Sequence, residues 1–163
     1  MDEWRTILSF PGYSVSDAGF VMNEETGRML KPCSNQRGIV NVGLRRDGIQ
    51  HKRSVAILVA EAFIMTTRSL TFNTPINLDG DRFNNRVTNL VWRPRWFAIK
   101  YLQQFNRSPM GFNKSVEELK THEKFETLWE AAITFGLLEM DLFKSLIDQT
   151  IVWPTYQRFR IID

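Results

Sequence analysis

Residues 75–92 read PINLDGDRFNNRVTNLVW, a run of turn-forming polar residues set between two short apolar segments. Asp79-Gly80 makes a tight loop, because glycine accepts backbone angles that a side chain resists. Asn84, Asn85 and Asn89 carry short amides that bond to nearby backbone, which is how an irregular loop satisfies its own polar groups. Leu90 and Trp92 are expected to fill the core beneath it.

The chain around this stretch has 163 residues, enough for one ordinary domain or two or three small modules in series. With 43% hydrophobic and 12% aromatic residues, it belongs with globular rather than disordered sequences. No apolar run approaches the ~20 residues of a membrane span. The N-terminal MDEWRTILSF has no basic flank before an apolar core, so a cytoplasmic protein without a membrane partner is expected. The single cysteine, Cys33, rules out an internal disulfide and a cysteine-based zinc cage. The two histidines, His51 and His122, lie far apart and far from the opening stretch, which argues against a histidine-rich metal site. Nothing points to a small-molecule substrate.

The net charge of +3 conceals an asymmetry: residues 1–110 hold 15 Lys/Arg against 9 Asp/Glu, and residues 111–163 hold 6 against 9. A basic body with a mildly acidic tail suits an anionic partner for the first part only. Residues 1–54 read as a small β-rich module, with turn formers at Asp17-Ala18-Gly19 and from Glu24 to Gly27. Its clearest local signal is Asp47-Gly48, flanked by extended runs, the dipeptide that best supplies the angles of a hairpin turn. Alternation puts Val40, Val42 and Leu44 on one face and Ile39, Asn41, Gly43 and Arg45 on the other. Arg45, Arg46, Lys52 and Arg53 lie near the turn, and a two-stranded ribbon tipped with cations has the width of a DNA groove.

Residues 55–105 hold SVAILVAEAFI as a short helix that is apolar nearly all round and so buried, then the opening stretch, then a helix started by Pro94. NRSPMGFNKS reads as a linker, and a module boundary is expected there, leaving 106–163 as a third module. Within it Phe125, Leu128, Ala132 and Phe135 fall at helical spacing, with Thr127 and Glu130 in the capping-box arrangement. Gly136 ends that helix and EMDLFKSLID makes a second, a helix-turn-helix shape. The second helix is expected to expose Glu139, Asp141 and Asp148 beside Lys144, and the tail IVWPTYQRFRIID is expected to be extended.

Taken in order, EWRTILSFPGYSVSDAGFV, GRMLKP, the hairpin, LVAEAFI, DGDRFNNRVTNLVW and KFETLWEAAITFGL resemble the phage and intron-encoded HNH homing endonucleases. The resemblance implies an α+β protein: a small N-terminal antiparallel β module, a ββα-metal-like core and a C-terminal helix-turn-helix. The scaffold half of the family motif is present as Asp79, Gly80, Asn84, Asn85, Asn89 and Trp92. The chemical half is replaced: Asn77 stands at the histidine position, Ile76 at the preceding metal-ligand position, and Ala98 (or its neighbour Phe97) at the last ligand position. An amide is no base near neutral pH, and hydrocarbon side chains offer nothing to a hard cation. Losing general-base help alone costs ~10²–10⁴ in rate. Two routes back to chemistry are open: Asp79 and Asp81 with Asn84 holding a cation, or His51 swinging into the loop.

The expected function is therefore that of a catalytically inactive, HNH-like phage protein that binds DNA, without cofactor. Its contacts would come from Arg45, Arg46, Lys52, Arg53, Arg82, Arg86, Arg93, Arg95 and Lys100. The alternatives are an active nicking enzyme using Mg or Mn, and a protein-binding accessory subunit of a phage polymerase or virion, the latter drawing on Trp153, Tyr156 and Phe159 of the tail.

Overall fold

The structure, a computed structural model, describes residues 1–162. Short antiparallel sheets and four helices make up those residues, an α+β arrangement. The chain divides into two compact units, Met1–Ala98 and Ile99–Asp163.

In the first unit, β1 (Trp4–Thr6), β2 (Tyr13–Ser16) and β3 (Val21–Asn23) form an antiparallel meander. Its second connection turns at Gly19, whose φ is 89° and whose N–H donates to the Ser16 carbonyl. A second three-stranded sheet follows, built of β4 (Cys33–Ser34), β5 (Val40–Arg46) and β6 (Ile49–Ser54), with β5 in the middle. The expected hairpin is there: Arg46 pairs with Ile49 across a two-residue turn, where Asp47 has φ 53° and Gly48 φ 75°. Those two angles match the right-handed twist of the flanking strands.

The helix α1 (Val55–Phe63) buries Val55, Leu58, Val59 and Ala60, while Ile57 stays exposed, so it is one-sided rather than buried all round. A ribbon of β7 (Thr74–Asn77) and β8 (Leu90–Arg93) holds the opening stretch between its strands, and α2 (Arg95–Gln104) follows Pro94. One core joins these parts: Phe10, Val15, Val21, Val42, Leu44, Leu58, Val59 and Leu90 belong to the same buried cluster. The boundary expected between residues 54 and 55 falls inside it.

The second unit contains β9 (Ser115–Glu118), β10 (Lys124–Phe125), α3 (Leu128–Phe135), α4 (Glu139–Asp148) and β11 (Phe159–Ile162). Its sheet runs β10-β9-β11, so the tail is extended at its end, where β11 pairs with β9, but residues 153–156 form a turn closed by the Val152–Gln157 bridge rather than the expected extended run. The break between units comes after Ala98, inside α2, ahead of the linker-like stretch. The reason lies in Gln104, which donates to the Leu137 carbonyl at 3.1 Å and accepts from the Glu139 N–H at 3.1 Å. Phe105 also packs edge-on against Trp129.

Phe125 lies in β10 rather than in the helix, although it does enter the core. The helix starts at Leu128 because Thr127 caps it: the Thr127 hydroxyl accepts the Glu130 N–H at 3.1 Å. The Glu130 carboxylate reaches back to the Glu126 N–H at 3.0 Å, one residue beyond the usual partner. Gly136, with φ 62°, stops α3, and the Leu137 N–H closes the end on the Ala132 carbonyl.

Candidate functional site

The loop between β7 and β8 spends its polar groups on itself. Asp79 is central: Oδ1 accepts the Asp81 N–H at 2.9 Å and an amide hydrogen of Asn89 at 2.8 Å, and Oδ2 accepts from Asn84 at 2.6 Å. Asn89 answers by accepting the Asp79 N–H at 3.1 Å and donating to the Asn84 carbonyl at 2.8 Å. Asn85 donates to the Arg82 carbonyl at 2.9 Å. Gly80 takes φ 78° and donates its N–H to the Asn77 carbonyl, so the turn needs a residue without a side chain. The loop also docks on the β2–β3 turn, where a β-carbon at Gly19 would come within 2.9 Å of the Asn85 carbonyl. Trp92 is buried and donates its indole N–H to the Ile64 carbonyl at 2.8 Å.

Asn77 completes this network. Its amide donates to the Asn84 carbonyl at 2.9 Å and to Asn85 Oδ1 at 3.0 Å. Both hydrogens are committed, and the residue is 6% exposed. Ile76 is 1% exposed and Ala98 5%, so the other two replaced positions are packed hydrocarbon.

A divalent cation does not fit this donor set. Ile76 and Ala98 carry no ligand atom, and the Asp79 carboxylate already accepts three hydrogen bonds within the loop. Asp81 Oδ1 accepts the Phe83 N–H at 2.9 Å. Among the described residues no group of three His, Cys, Asp or Glu side chains is placed to hold a metal. His51 packs against Phe10, ring centres 5.5 Å apart, on the hairpin.

The cations divide into three sets. Arg45 and Lys52 are exposed on the hairpin, and Arg86, Arg95 and Lys100 are exposed on later segments. Arg46, also exposed, and the half-buried Arg53 flank the buried Phe10 ring, with guanidinium carbons 5.2 and 4.9 Å from its centre. Arg46 also donates to the Ser9 carbonyl at 3.0 Å. Arg82 is half-buried and donates to the Arg37 carbonyl at 2.7 Å. Arg93 departs from expectation: at 8% exposure, with its guanidinium over Phe97 and donating to the Trp92 carbonyl, it is a packing residue rather than an accessible cation.

The second unit corrects another reading. Glu139 is not displayed on α4 but is 7% exposed, accepting the Met110 N–H at 3.1 Å with one oxygen while the other is buried without a partner. Burial pushes its carboxyl above the ordinary glutamate range, against the pull of that hydrogen bond. Glu117, also buried, is held below that range by Arg160, which donates at 2.7 Å, and by His122 at 3.1 Å.

The hairpin register adds one residue that the sequence reading passed over, Gln50, to the face it shares with Asn41, Gly43 and Arg45. Asn41 lies opposite Ser54, Gly43 opposite Lys52 and Arg45 opposite Gln50, while Cys33 of β4 lies opposite Asn41. Paired residues share a face, so Asn41, Arg45, Gln50 and Lys52 point the same way, and Arg46, His51 and Arg53 point the other. The two-residue turn at Asp47-Gly48 fixes this register, so the signal was present in the sequence.

Comparison with known proteins bears on both regions. A family model described as the NUMOD4 motif matches residues 2–45. "Uncharacterized HNH endonuclease L245" of Acanthamoeba polyphaga mimivirus is 31% identical over 144 residues, 83% of this chain and 41% of that protein. DNA endonuclease I-HmuI of Bacillus phage SP01 is 28% identical over 123 residues, 72% of this chain and 66% of that protein. A solved structure of DNA binding and cleavage by the HNH homing endonuclease I-HmuI superposes with a TM-score of 0.53 and 22% identity, across 98% of both chains, a likeness of fold. The chain thus spans less than half the length of the mimivirus relative.

Proposed function

Because this chain is a homologue of the HNH endonucleases, in sequence and in fold, we propose that it binds DNA and does not cut it. The observation that carries the second half is Asn77: where the resemblance places the histidine, a buried amide has both hydrogens committed to the loop. Hydrolysis of a phosphodiester at neutral pH needs a group to take the proton of the attacking water and a charge to stabilise the phosphate. Asn77 cannot do the first, and the hydrocarbon at Ile76 and Ala98 cannot hold an ion for the second. This reading needs no cofactor.

The binding half is supported by Arg45, Lys52, Arg86, Arg95 and Lys100, all exposed in a part of the chain with excess positive charge. Arg46, Arg53 and Arg82 contribute field more than contact, since their guanidiniums have partners within the protein. No helix among the described residues is long and apolar enough to cross a membrane.

The test is direct. Incubated with supercoiled plasmid in Mg or Mn, the protein should leave it intact; nicking that is lost in Asp79→Ala would overturn the inactive reading. Duplex binding should weaken with salt, log K against log salt sloping at roughly −4 to −5 for about five phosphate contacts. Absence of binding at low salt would leave a protein partner as the better reading, which the exposed Tyr156 of the tail and Asp148 of α4 favour for the second unit.

A further inference from the structure

In the second unit, the turn at residues 119–121 and the turn at residues 153–156 enclose an open groove of about 790 Å³. The Leu119 N–H donates to the Arg158 carbonyl at 2.9 Å, which ties the two segments together. Leu119, Phe135, Ile151 and Tyr156 bring hydrocarbon to the lining, and Lys120 and Arg158, both exposed, bring one cation from each segment. The carboxylate in that lining is spent on its own turn. Glu118, 1% exposed, accepts the Thr121 N–H at 2.7 Å, the Thr121 hydroxyl at 2.8 Å and the Lys120 N–H at 3.2 Å. The accessible charge of the groove is therefore positive, although residues 111–163 as a whole are acidic. Two further features point to an occupant. Thr155 Oγ1 and Gln157 Oε1, in two of the lining residues, are buried and have no hydrogen-bond partner among the described residues. A buried polar atom left unpaired is costly and calls for a partner. Tyr156, between them, has φ 57°, left-handed backbone that a bulky residue resists, and its ring is 64% exposed at the groove.

We propose that this groove is a docking site for an acidic peptide segment of a partner protein, anchored by one large apolar side chain. The inference goes beyond the DNA-binding reading and does not depend on it. Each part of the lining has a counterpart in such a segment. An aliphatic or aromatic anchor packs against Leu119, Phe135, Ile151 and the Tyr156 ring and covers exposed hydrocarbon. The segment's carboxylates meet Lys120 and Arg158, the second with a guanidinium fork that suits a carboxylate. Every peptide residue except proline carries an N–H and a C=O, so an extended backbone supplies the donor that Gln157 Oε1 lacks and a partner for the Thr155 hydroxyl. A phosphodiester backbone matches this set poorly. It brings charge but neither the anchor nor the N–H, and the surrounding sequence is acidic. Because the two segments are already tied together, docking orders little backbone.

The probe is a displayed library of random linear peptides, selected on the immobilised full chain. Enriched peptides should combine Asp or Glu with Leu, Phe or Trp, and a synthetic copy should bind the protein one to one in solution. Tyr156→Ala and Arg158→Glu should each weaken that copy by roughly tenfold. Thr155→Val, which keeps the shape of the side chain, should weaken it several-fold without lowering the melting temperature. Should Tyr156→Ala fail to fold, Arg158→Glu decides, because its side chain is exposed. Saturating duplex should leave the peptide bound. A library that enriches nothing, peptides without acidic residues, or a peptide that binds Arg158→Glu as well as wild type would overturn the proposal. Displacement of the peptide by duplex or single-stranded oligonucleotide would assign the groove to nucleic acid and overturn it too.

Discussion

The β7–β8 loop and the outer face of the hairpin are both dense in amides and charges, and they dispose of them in opposite ways. In the loop, Asn77, Asp79, Asn84, Asn85 and Asn89 bond to one another and to nearby backbone. On the hairpin, Arg45, Gln50 and Lys52 project from a sheet whose other side supplies the core, and only Asn41 turns back to nearby backbone, at the Ile39 carbonyl. A motif rich in catalytic-looking residues can therefore be a structural knot, while the surface available to a partner lies on an ordinary-looking strand pair.

The largest effect expected from this contrast is at Trp92. Removing its buried ring and the hydrogen bond to Ile64 should cost about 3–5 kcal/mol. Thermal or denaturant melts would show it; a variant melting like the wild type would break the claim that the loop sits on a core. Next come the amides themselves. Asn77→Ala strands Asn85 Oδ1, and Asn89→Ala strands the Asp79 N–H, so each should destabilise by roughly 1–3 kcal/mol. Gln50→Ala and Arg45→Ala, on the hairpin, should stay within about 0.5 kcal/mol of wild type. Equal losses in the two regions would erase the distinction between them.

A smaller effect sets two carboxylates of the second unit against each other. Glu117 titrates below the usual glutamate value because Arg160 and His122 hold it charged. Its contribution is present above about pH 4.3, the unfolded value, and is lost as pH falls through the folded one. Glu139 is raised by burial, so it takes up a proton on folding and stability falls as pH climbs from the unfolded value through the folded one. Near neutral pH, Glu117→Gln should lower the melting temperature and Glu139→Gln should raise it. Shifts of the same sign would contradict this pairing. The smallest effect is none: millimolar Mg or Mn should leave the melting temperature unchanged, whereas a site at 100 times its Kd would add ~2.7 kcal/mol.

Much of this was legible in the sequence wherever the determinant was local. Asp47-Gly48 announces its own turn, Thr127 and Glu130 their own cap, and the scaffold asparagines their own loop, because each acts through neighbours a few residues away. What stayed hidden depends on distant partners. The strand β9 is defined by pairing with a segment some forty residues later. Glu139 is met by Gln104 from before the linker-like stretch and by Met110 from within it, not by anything in its own helix. Arg93 is the exception, a local case that was missed: Phe97 four residues on and the adjacent Trp92 carbonyl claim its guanidinium. The division of Arg45 from Arg46 is intermediate: alternation along one strand shows it, but its meaning needs Phe10 from the connection between β1 and β2.

The tight turn at Asp47 and Gly48 has one more consequence, for the entropy of association. Both residues already sit in left-handed backbone, so the ribbon is ordered before any partner arrives. Docking there immobilises side chains, at about 0.5–1.5 kcal/mol each, and orders no loop. A longer or more permissive connection would add a backbone term to every binding event. Lengthening the turn by a glycine should thus shorten the lifetime of a complex even though no contacting side chain has changed.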